Sequence, residues 1–401
     1  MRGYQQSKNT VSARIINIAT LAVTLGIATI LIALVCSKGL QQEIQNKTSV
    51  FNGPILVTLF ENNESQISVN PFLDTEEIRT HFQKEENILR SHPIAIKAGM
   101  LRTSADFEGV LLKGVSTDFD WSGITPFLTR GRFPNLSGGI SNEILLSETL
   151  ARQLDLKLGD QTEAFFQKEH EAGLPLRRRF TVVGVFSSGF PDIDQTLVYG
   201  DLRQVQRLNG WDSNSIGAFE VYIKNYEHLE QTAERLYAVL PSDLNSIPIS
   251  QRFSSVYQWI ALFDFNVLII LVVMLLVGVI NMATALLVLI LERSRMVGLL
   301  KTLGAGNALI QKIFLYNGVA IMSKGLLFGN LIGLGFYFSQ KYWGWIRLDP
   351  ATYFVDIAPV SLSFTELLVL NLFFLLISSL LLWLPSKIIL KISPAKVLRF
   401  R

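Results

Sequence analysis

Cysteine is almost absent: Cys36 is the single thiol in 401 residues. One thiol excludes an intrachain disulfide framework and a cysteine-based zinc site. Histidine is nearly as scarce. His81, His92, His170 and His228 are scattered, and no H-E-x-x-H or similar ligand spacing joins them. A G-x-x-x-x-G-K-[ST] phosphate loop is missing too. The nearest glycine-rich stretch, Gly304-Ala305-Gly306, lacks the lysine and hydroxyl at the required spacing. The chain should therefore not bind and hydrolyse ATP by itself, and no catalytic, metal or cofactor site is expected in it. Charge is thin as well. Charged residues make up 17% and hydrophobic residues 49%, where a soluble domain carries roughly 25% charged. That deficit points to a membrane protein. The net charge of +3 gives no reason to expect a nucleic-acid partner.

What the sequence does have is four apolar runs of spanning length. The first covers 15–36, enough to cross a ~30 Å hydrocarbon core. A basic tail with Arg2, Lys8 and Arg14 and no acid precedes it. Such a tail also opens signal peptides. The run is long for a signal peptide, however, and no A-x-A-like site follows it. Ala33-Leu34-Val35-Cys36 has a lipobox outline, but Val35 is a poor residue before a modified cysteine. The reading is an uncleaved signal anchor with Cys36 as an ordinary apolar residue. Further spans are expected at 263–291, 313–338 and 367–384. Lys and Arg in the short flanks set orientation. The N-tail (1–14) is basic. The 292–312 loop holds Arg293, Arg295, Lys301 and Lys312 against one acid. The C-tail (385–401) holds Lys387, Lys391, Lys396, Arg399 and Arg401 and no acid. The 37–262 and 339–366 segments are acidic on balance. Both termini are therefore expected in the cytoplasm, and the large insertion in the periplasm of a two-membrane cell. The fold class is an integral membrane α-helical chain with four transmembrane helices and a large α+β extracytoplasmic domain inserted between spans 1 and 2.

The third span carries Gly325, Gly329 and Gly333 at four-residue spacing, so they share one helix face and admit another helix closely. Lys324 sits mid-span, at a cost of roughly 2.5–3.5 kcal/mol on insertion scales. It reads either as a coupling or substrate contact or, the favoured reading, as a structural polar contact to Asn281 or Asn371.

In the inserted segment, strands are expected at 54–60, 94–101, 108–115, 180–186 and 218–224 from β-branched and aromatic content. Helices are expected at 75–89, 147–154, 201–208 and 227–240, with Ser147 and Asp201 as N-caps. Asp118/Asp120 and Asp192/Asp194 could bind a cation, but without further ligand spacing they read as solvated loop acids. At 168–176 a polar stretch with Gly173 and Pro175 leads into Arg177-Arg178-Arg179. It reads as a hairpin tip with solvated arginines, or as an arm gripping a partner through guanidinium donors.

The 292–312 loop is the other informative stretch. Met296, Leu299, Leu300 and Leu303 stand at i, i+3, i+4 and i+7, and Gly304 supplies a stop. A short basic amphipathic helix there could lie on the membrane surface or dock in a groove of a cytoplasmic partner. The lack of an ATPase motif favours docking.

The order of basic tail, span, outer domain and three spans resembles the FtsX/MacB-type permeases of ABC transporters. The stretch Glu292-Arg293-Ser294-Arg295 through Leu299-Leu300-Lys301-Thr302-Leu303-Gly304-Ala305 is similar to that family's E-[KR]-x-R-x-x-x-x-L-[KR]-x-[LI]-G-A signature. Within the family the chain looks most like the lipoprotein-releasing (Lol-type) permeases. The stretches 144–160, 180–194, Tyr353-Phe354-Val355-Asp356 and Ser393-Pro394-Ala395 carry that likeness. The resemblance implies two permeases, identical or paralogous, paired with a homodimer of a separate ATPase that holds the ATP and Mg. Arg293, Arg295, Met296, Leu299, Leu300, Leu303 and Gly304 would form the helix seated on that ATPase. The cargo would be a lipoprotein, lifted from the outer leaflet of the inner membrane and handed to a periplasmic carrier. Its acyl chains would lie between the outer halves of spans 1 and 2, lined here by Leu31, Leu34, Val35, Leu262, Phe263 and Phe265. The family's carrier-recruiting arm matches 168–179, with Gly173, Pro175, Arg177, Arg178 and Arg179 as its recognisable residues; the rest of the arm departs from the family. Alternatives are a MacB-like exporter, an FtsX-like regulator of cell-wall enzymes, and a membrane-anchored sensor or scaffold.

Overall fold

The computed structural model describes residues 11–62, 66–103, 106–167 and 175–386. In chain order the elements begin with α1 (Val11–Asn52), β1 (Ile55–Leu59), β2 (Phe72–Leu73), α2 (Glu76–Lys84), β3 (Ile88–Arg102), β4 (Phe107–Val115) and β5 (Leu128–Gly131). They continue with β6 (Glu143–Ser147), α3 (Glu148–Gln153), β7 (Gln161–Phe166), β8 (Leu176–Phe186), α4 (Pro191–Thr196), β9 (Leu197–Asp201) and α5 (Leu202–Asn209). Then come β10 (Ser215–Ile216), β11 (Ala218–Ile223), α6 (Leu229–Val239), β12 (Leu244–Pro248) and α7 (Ile249–Arg252). The chain finishes with α8 (Ser254–Glu292), α9 (Ser294–Thr302), α10 (Asn307–Trp343), α11 (Pro350–Tyr353) and α12 (Phe364–Ser386).

The described residues form two compact units. A helical unit takes the chain up to Gln42, Trp259–Arg347 and the residues from Ile357 on; an α+β unit takes Glu43–Gln258 and Leu348–Asp356. Among the described residues, Arg14–Asn52, Ser254–Glu292, Asn307–Trp343 and Phe364–Trp383 are long and apolar enough to cross a membrane. The first helix outruns the expected 15–36. Its 42 residues reach about 60 Å at 1.5 Å per residue, twice a hydrocarbon core. Nothing polar stops a helix merely because it leaves the apolar run. The stop is Gly53, at φ +67°, followed by Pro54. The second helix likewise begins nine residues before the expected 263, at Ser254.

The helical unit is held by apolar packing. Val23, Ile27, Ile30, Leu31 and Val35 of α1 bury against Leu275 of α8, Leu326 of α10, and Leu370 and Phe374 of α12. Gly325, Gly329 and Gly333 of α10 face α1. A Cβ at these positions would meet Val23 Cγ1 at 2.6 Å, Ile27 Cβ at 2.7 Å and Leu31 Cδ2 at 2.5 Å. The small residues thus let the two backbones approach, and the Thr24 hydroxyl donates to the Gly325 carbonyl at 3.3 Å. Lys324 makes neither contact expected of it: it is exposed on α10, and Asn371 instead exchanges amide hydrogen bonds with Asn330 at 2.6 and 3.1 Å.

In the α+β unit, ten strands form one sheet in the order β12-β1-β11-β3-β4-β9-β6-β8-β5, with β7 pairing β3 and β8. β4 pairs β9 and β6 pairs β8 in parallel; the remaining pairs are antiparallel. The fifteen-residue β3 ties the halves together. Ile55, Val57, Leu112, Ile144, Leu146, Phe166, Phe180 and Phe219 are among its buried core residues. The caps act as the sequence suggests: the Ser147 hydroxyl accepts from Leu150 N at 3.0 Å, and the Asp201 carboxylate from Arg203 N at 2.9 Å. The helix expected over 75–89 stops at Lys84. Asn87 is drawn away by hydrogen bonds from its amide to Asn225 O and the Thr232 hydroxyl, and Ile88 onward pairs as β3. The Leu348–Asp356 segment belongs to this unit. Phe354, at φ +61°, stacks on Phe190 with centroids 4.5 Å apart, and Lys47 Nζ donates to its carbonyl at 3.0 Å.

Candidate coupling surface and outer hairpin

α9 joins two of the long helices. Arg293 occupies its N-cap position and Leu303 its C-cap. Gly304 follows at φ +89°, a left-handed conformation that favours glycine, and Ala305 N closes the end on Leu300 O at 2.9 Å. One side of the helix is anchored. Val297, fully buried, packs with Leu286 and Ile290 of α8 and Ile310 and Phe314 of α10, and Leu300 covers the edge of that cluster. The opposite side is bare: Met296 is 40% exposed, Leu299 56% and Leu303 77%. Arg293 and Arg295 are exposed beside them.

The four-residue stripe seen in the sequence therefore splits. Leu300 turns partly inward, while Met296, Leu299 and Leu303 form a ridge at i, i+3 and i+7. Sequence reading missed Val297, the anchor that fixes the ridge's direction. The signal was present, because Val297 and Leu300 form a second apolar row at i, i+3. A fixed apolar ridge edged by guanidinium groups suits seating in a groove, since it stands exposed among the described residues of its unit.

In the outer hairpin, the arginine run is strand rather than tip. Arg177, Arg178 and Arg179 pair in register with Phe165, Ala164 and Glu163. Arg177 and Arg179 point to one face, where Arg177 bridges Glu163 and Arg179 lies 3.5 Å from the same carboxylate. Arg178 points to the other face. Pro175 is exposed just before β8, at the turn end of the described hairpin. Gly173, with the rest of 168–174, lies outside the described residues.

The six residues expected to line an acyl site differ in burial. Leu31 and Val35 are fully buried in the helical core, Leu31 against Gly333, and Leu34 is half-buried. Leu262 and Phe265 are more than half exposed on α8, with Phe263 half-buried beside Trp259. Leu31 and Val35 pack in the helical core, with Leu31 at the glycine face of α10. Asp194 is also unlike a solvated loop acid. It is buried, and it accepts from Ser188 N at 2.9 Å, the Ser188 hydroxyl at 2.7 Å and Gly189 N at 3.2 Å. Burial pushes its carboxyl above the usual range, and these hydrogen bonds oppose that shift. It organises the loop before α4. Among the described residues, no group of three or more His, Cys, Asp or Glu is placed to hold a metal ion.

A helical unit whose four long helices are apolar enough to cross a membrane, an inserted α+β unit and a short ridge-bearing helix between two of the long helices are the architecture of a membrane protein. Residues 18–239 match the MacB-like periplasmic core domain and residues 268–394 match the FtsX-like permease C-terminal domain. The first match covers more than half of the chain, and the chain belongs to this FtsX/MacB-type family of ABC transporter permeases. Among curated relatives, the lipoprotein-releasing system transmembrane protein LolC of Neisseria meningitidis serogroup B is 22% identical over 402 residues, covering 94% of this chain and 92% of that one. LolE of Haemophilus influenzae, also named a lipoprotein-releasing system transmembrane protein, is 22% identical over 413 residues, covering 99% and 96%. The solved periplasmic region of MacB from Actinobacillus actinomycetemcomitans aligns with 54% of this chain and 97% of its own, at 16% identity and a TM-score of 0.37.

Proposed function

We propose that this chain is the permease subunit of an ATP-driven machine that releases lipoproteins from the outer leaflet of the inner membrane to a periplasmic carrier. The observation that carries the coupling half of this reading is the exposed Met296–Leu299–Leu303 ridge on a buried Val297 anchor. In this reading both termini and α9 are cytoplasmic, and the α+β unit is periplasmic. The ridge seats on a separate ATPase homodimer, which holds the ATP and Mg. A second permease, identical or a paralogue, completes the membrane part. The chain itself catalyses nothing: it transmits closure of the ATPase to its spans.

The cargo half rests on the near full-length likeness to permeases named for lipoprotein release. The energetics are consistent with it. Extracting an acyl chain costs about 0.8 kcal/mol per CH₂, so a multiply acylated cargo needs an external source of energy. The outer hairpin, with Arg177 and Arg179 on one face, is the part of the α+β unit best suited to hold a carrier.

The test is copurification. A tagged full chain should bring down an ATPase whose activity depends on it, and Leu299→Asp should break the pair while the chain still reaches the membrane. Copurification unaffected by Leu299→Asp would place the energy input elsewhere.

A further inference from the structure

One feature of the α+β unit involves none of the ridge or hairpin residues. A cavity of about 290 Å³ opens beside β4, α4 and α7, lined by Lys113, Glu220, Arg252 and Asp192 among polar residues, with Ile96 and Leu111 on its apolar wall. Its charges are not balanced in depth. Lys113 and Glu220 are both essentially inaccessible and form an ion pair at 2.5 Å. Lys113 also donates to Phe51 O at 2.9 Å and lies over the Tyr199 ring, while Glu220 accepts from Tyr222 at 3.3 Å. That pair is neutral and complete.

Arg252 is then left as a surplus cation. Its Nη1 donates to Asn52 O at 2.9 Å. Among the described residues no carboxylate lies within ion-pairing distance of it. Burial holds its guanidinium below its ordinary pKa, and Glu220 opposes that shift from a distance. Arg252 lines both this cavity and a smaller hollow beside Gln66 and Ser68. Asp192, the nearest acid on the cavity wall that is not already paired, is exposed to solvent.

We infer that this cavity is an oxyanion site, with Arg252 as the ligating cation, and that it takes a phosphate group, either free or as the headgroup of an anionic lipid. A planar guanidinium matches the spacing of two phosphate oxygens. The Lys113–Glu220 pair contributes no net charge but fixes the floor against which the anion sits. Ile96 and Leu111 give one side of the cavity an apolar lining that suits the glycerol backbone of a lipid better than a second charge.

The test uses the full chain in a neutral detergent and equilibrium dialysis against two probes, inorganic phosphate and dihexanoylphosphatidylglycerol below its micellar concentration. Saturable binding of at least one probe is expected. Phosphate alone would identify a free-anion site, phosphatidylglycerol alone a lipid-headgroup site, and both a site that reads the oxyanion only. Arg252→Gln should weaken binding by about tenfold, the loss of one charge-assisted contact, and Arg252→Lys should restore part of it. Asp192→Asn, at an exposed position where folding is not at risk, should tighten binding by about twofold by removing a nearby negative charge. If neither probe saturates, or if Arg252→Gln and Asp192→Asn both leave binding unchanged, the inference is wrong.

Discussion

Gly329 lies so close to Ile27 that a Cβ on the glycine would stand 2.7 Å from the isoleucine Cβ and 2.8 Å from the Thr24 carbonyl. The neighbour on one side is backbone and cannot move aside cheaply. Gly329→Leu should therefore push α10 off α1 and destabilise the helical unit by about 1–3 kcal/mol, the range for overpacking. Gly335→Leu, where a Cβ meets nothing within 4 Å, should be silent. Thermal midpoints of the two variants in the same detergent check this contrast.

On α9, neighbouring apolar residues should fail in different ways. Leu299→Asp changes an exposed ridge position and should leave yield and thermal midpoint near wild type while abolishing ATPase copurification. Val297→Asp puts a carboxylate into a fully buried cluster with no partner. It should lower the amount of folded chain as well. Equal loss of folded chain in both variants would mean that the ridge is a packing surface.

The Lys113–Glu220 pair should show the asymmetry of buried ions. Lys113→Met alone leaves a buried carboxylate unpaired and should cost about 3–5 kcal/mol. Combining Lys113→Met with Glu220→Leu should recover most of that loss, because an apolar pair needs no compensation. A double-mutant cycle by chemical denaturation measures the difference.

His92 makes stability depend on pH. Its ring is buried between Phe119 and Tyr222, and neither ring nitrogen has a hydrogen-bond partner among the described residues. Burial pushes its pKa down to about 4 from 6.5; Asp118 opposes the shift, and Arg90 and Lys113 add to it. The unfolded chain therefore binds more protons between those values. The contribution is complete above pH 6.5 and is lost as the pH falls to about 4, a total of roughly 3 kcal/mol. His92→Phe should flatten that part of the stability profile measured by denaturant titration.

The spans and the glycine face of α10 were legible because both are local patterns, apolar runs of about 20 residues and a four-residue repeat. The lengths of α1 and α8 were not. Hydropathy reports where a helix meets apolar surroundings, whereas Gly53 and the backbone at Ser254 decide where these helices stop and start. The end of α2 was hidden for a different reason, since Asn87 answers to Asn225 and Thr232, far away in sequence. The ridge on α9 was legible in outline, but its buried row needed the neighbouring helices. The Arg252 cavity left no trace, because residues 52, 113, 192, 220 and 252 meet only once the sheet is built.

The most direct measurement is release of a radiolabelled lipoprotein from proteoliposomes holding the full chain, its ATPase and any paralogous permease, with ATP and a soluble carrier outside. The account predicts release that requires ATP and the carrier and that disappears with Leu299→Asp at unchanged reconstitution. A complex that hydrolyses ATP under the same conditions but leaves the lipoprotein in the membrane would contradict it.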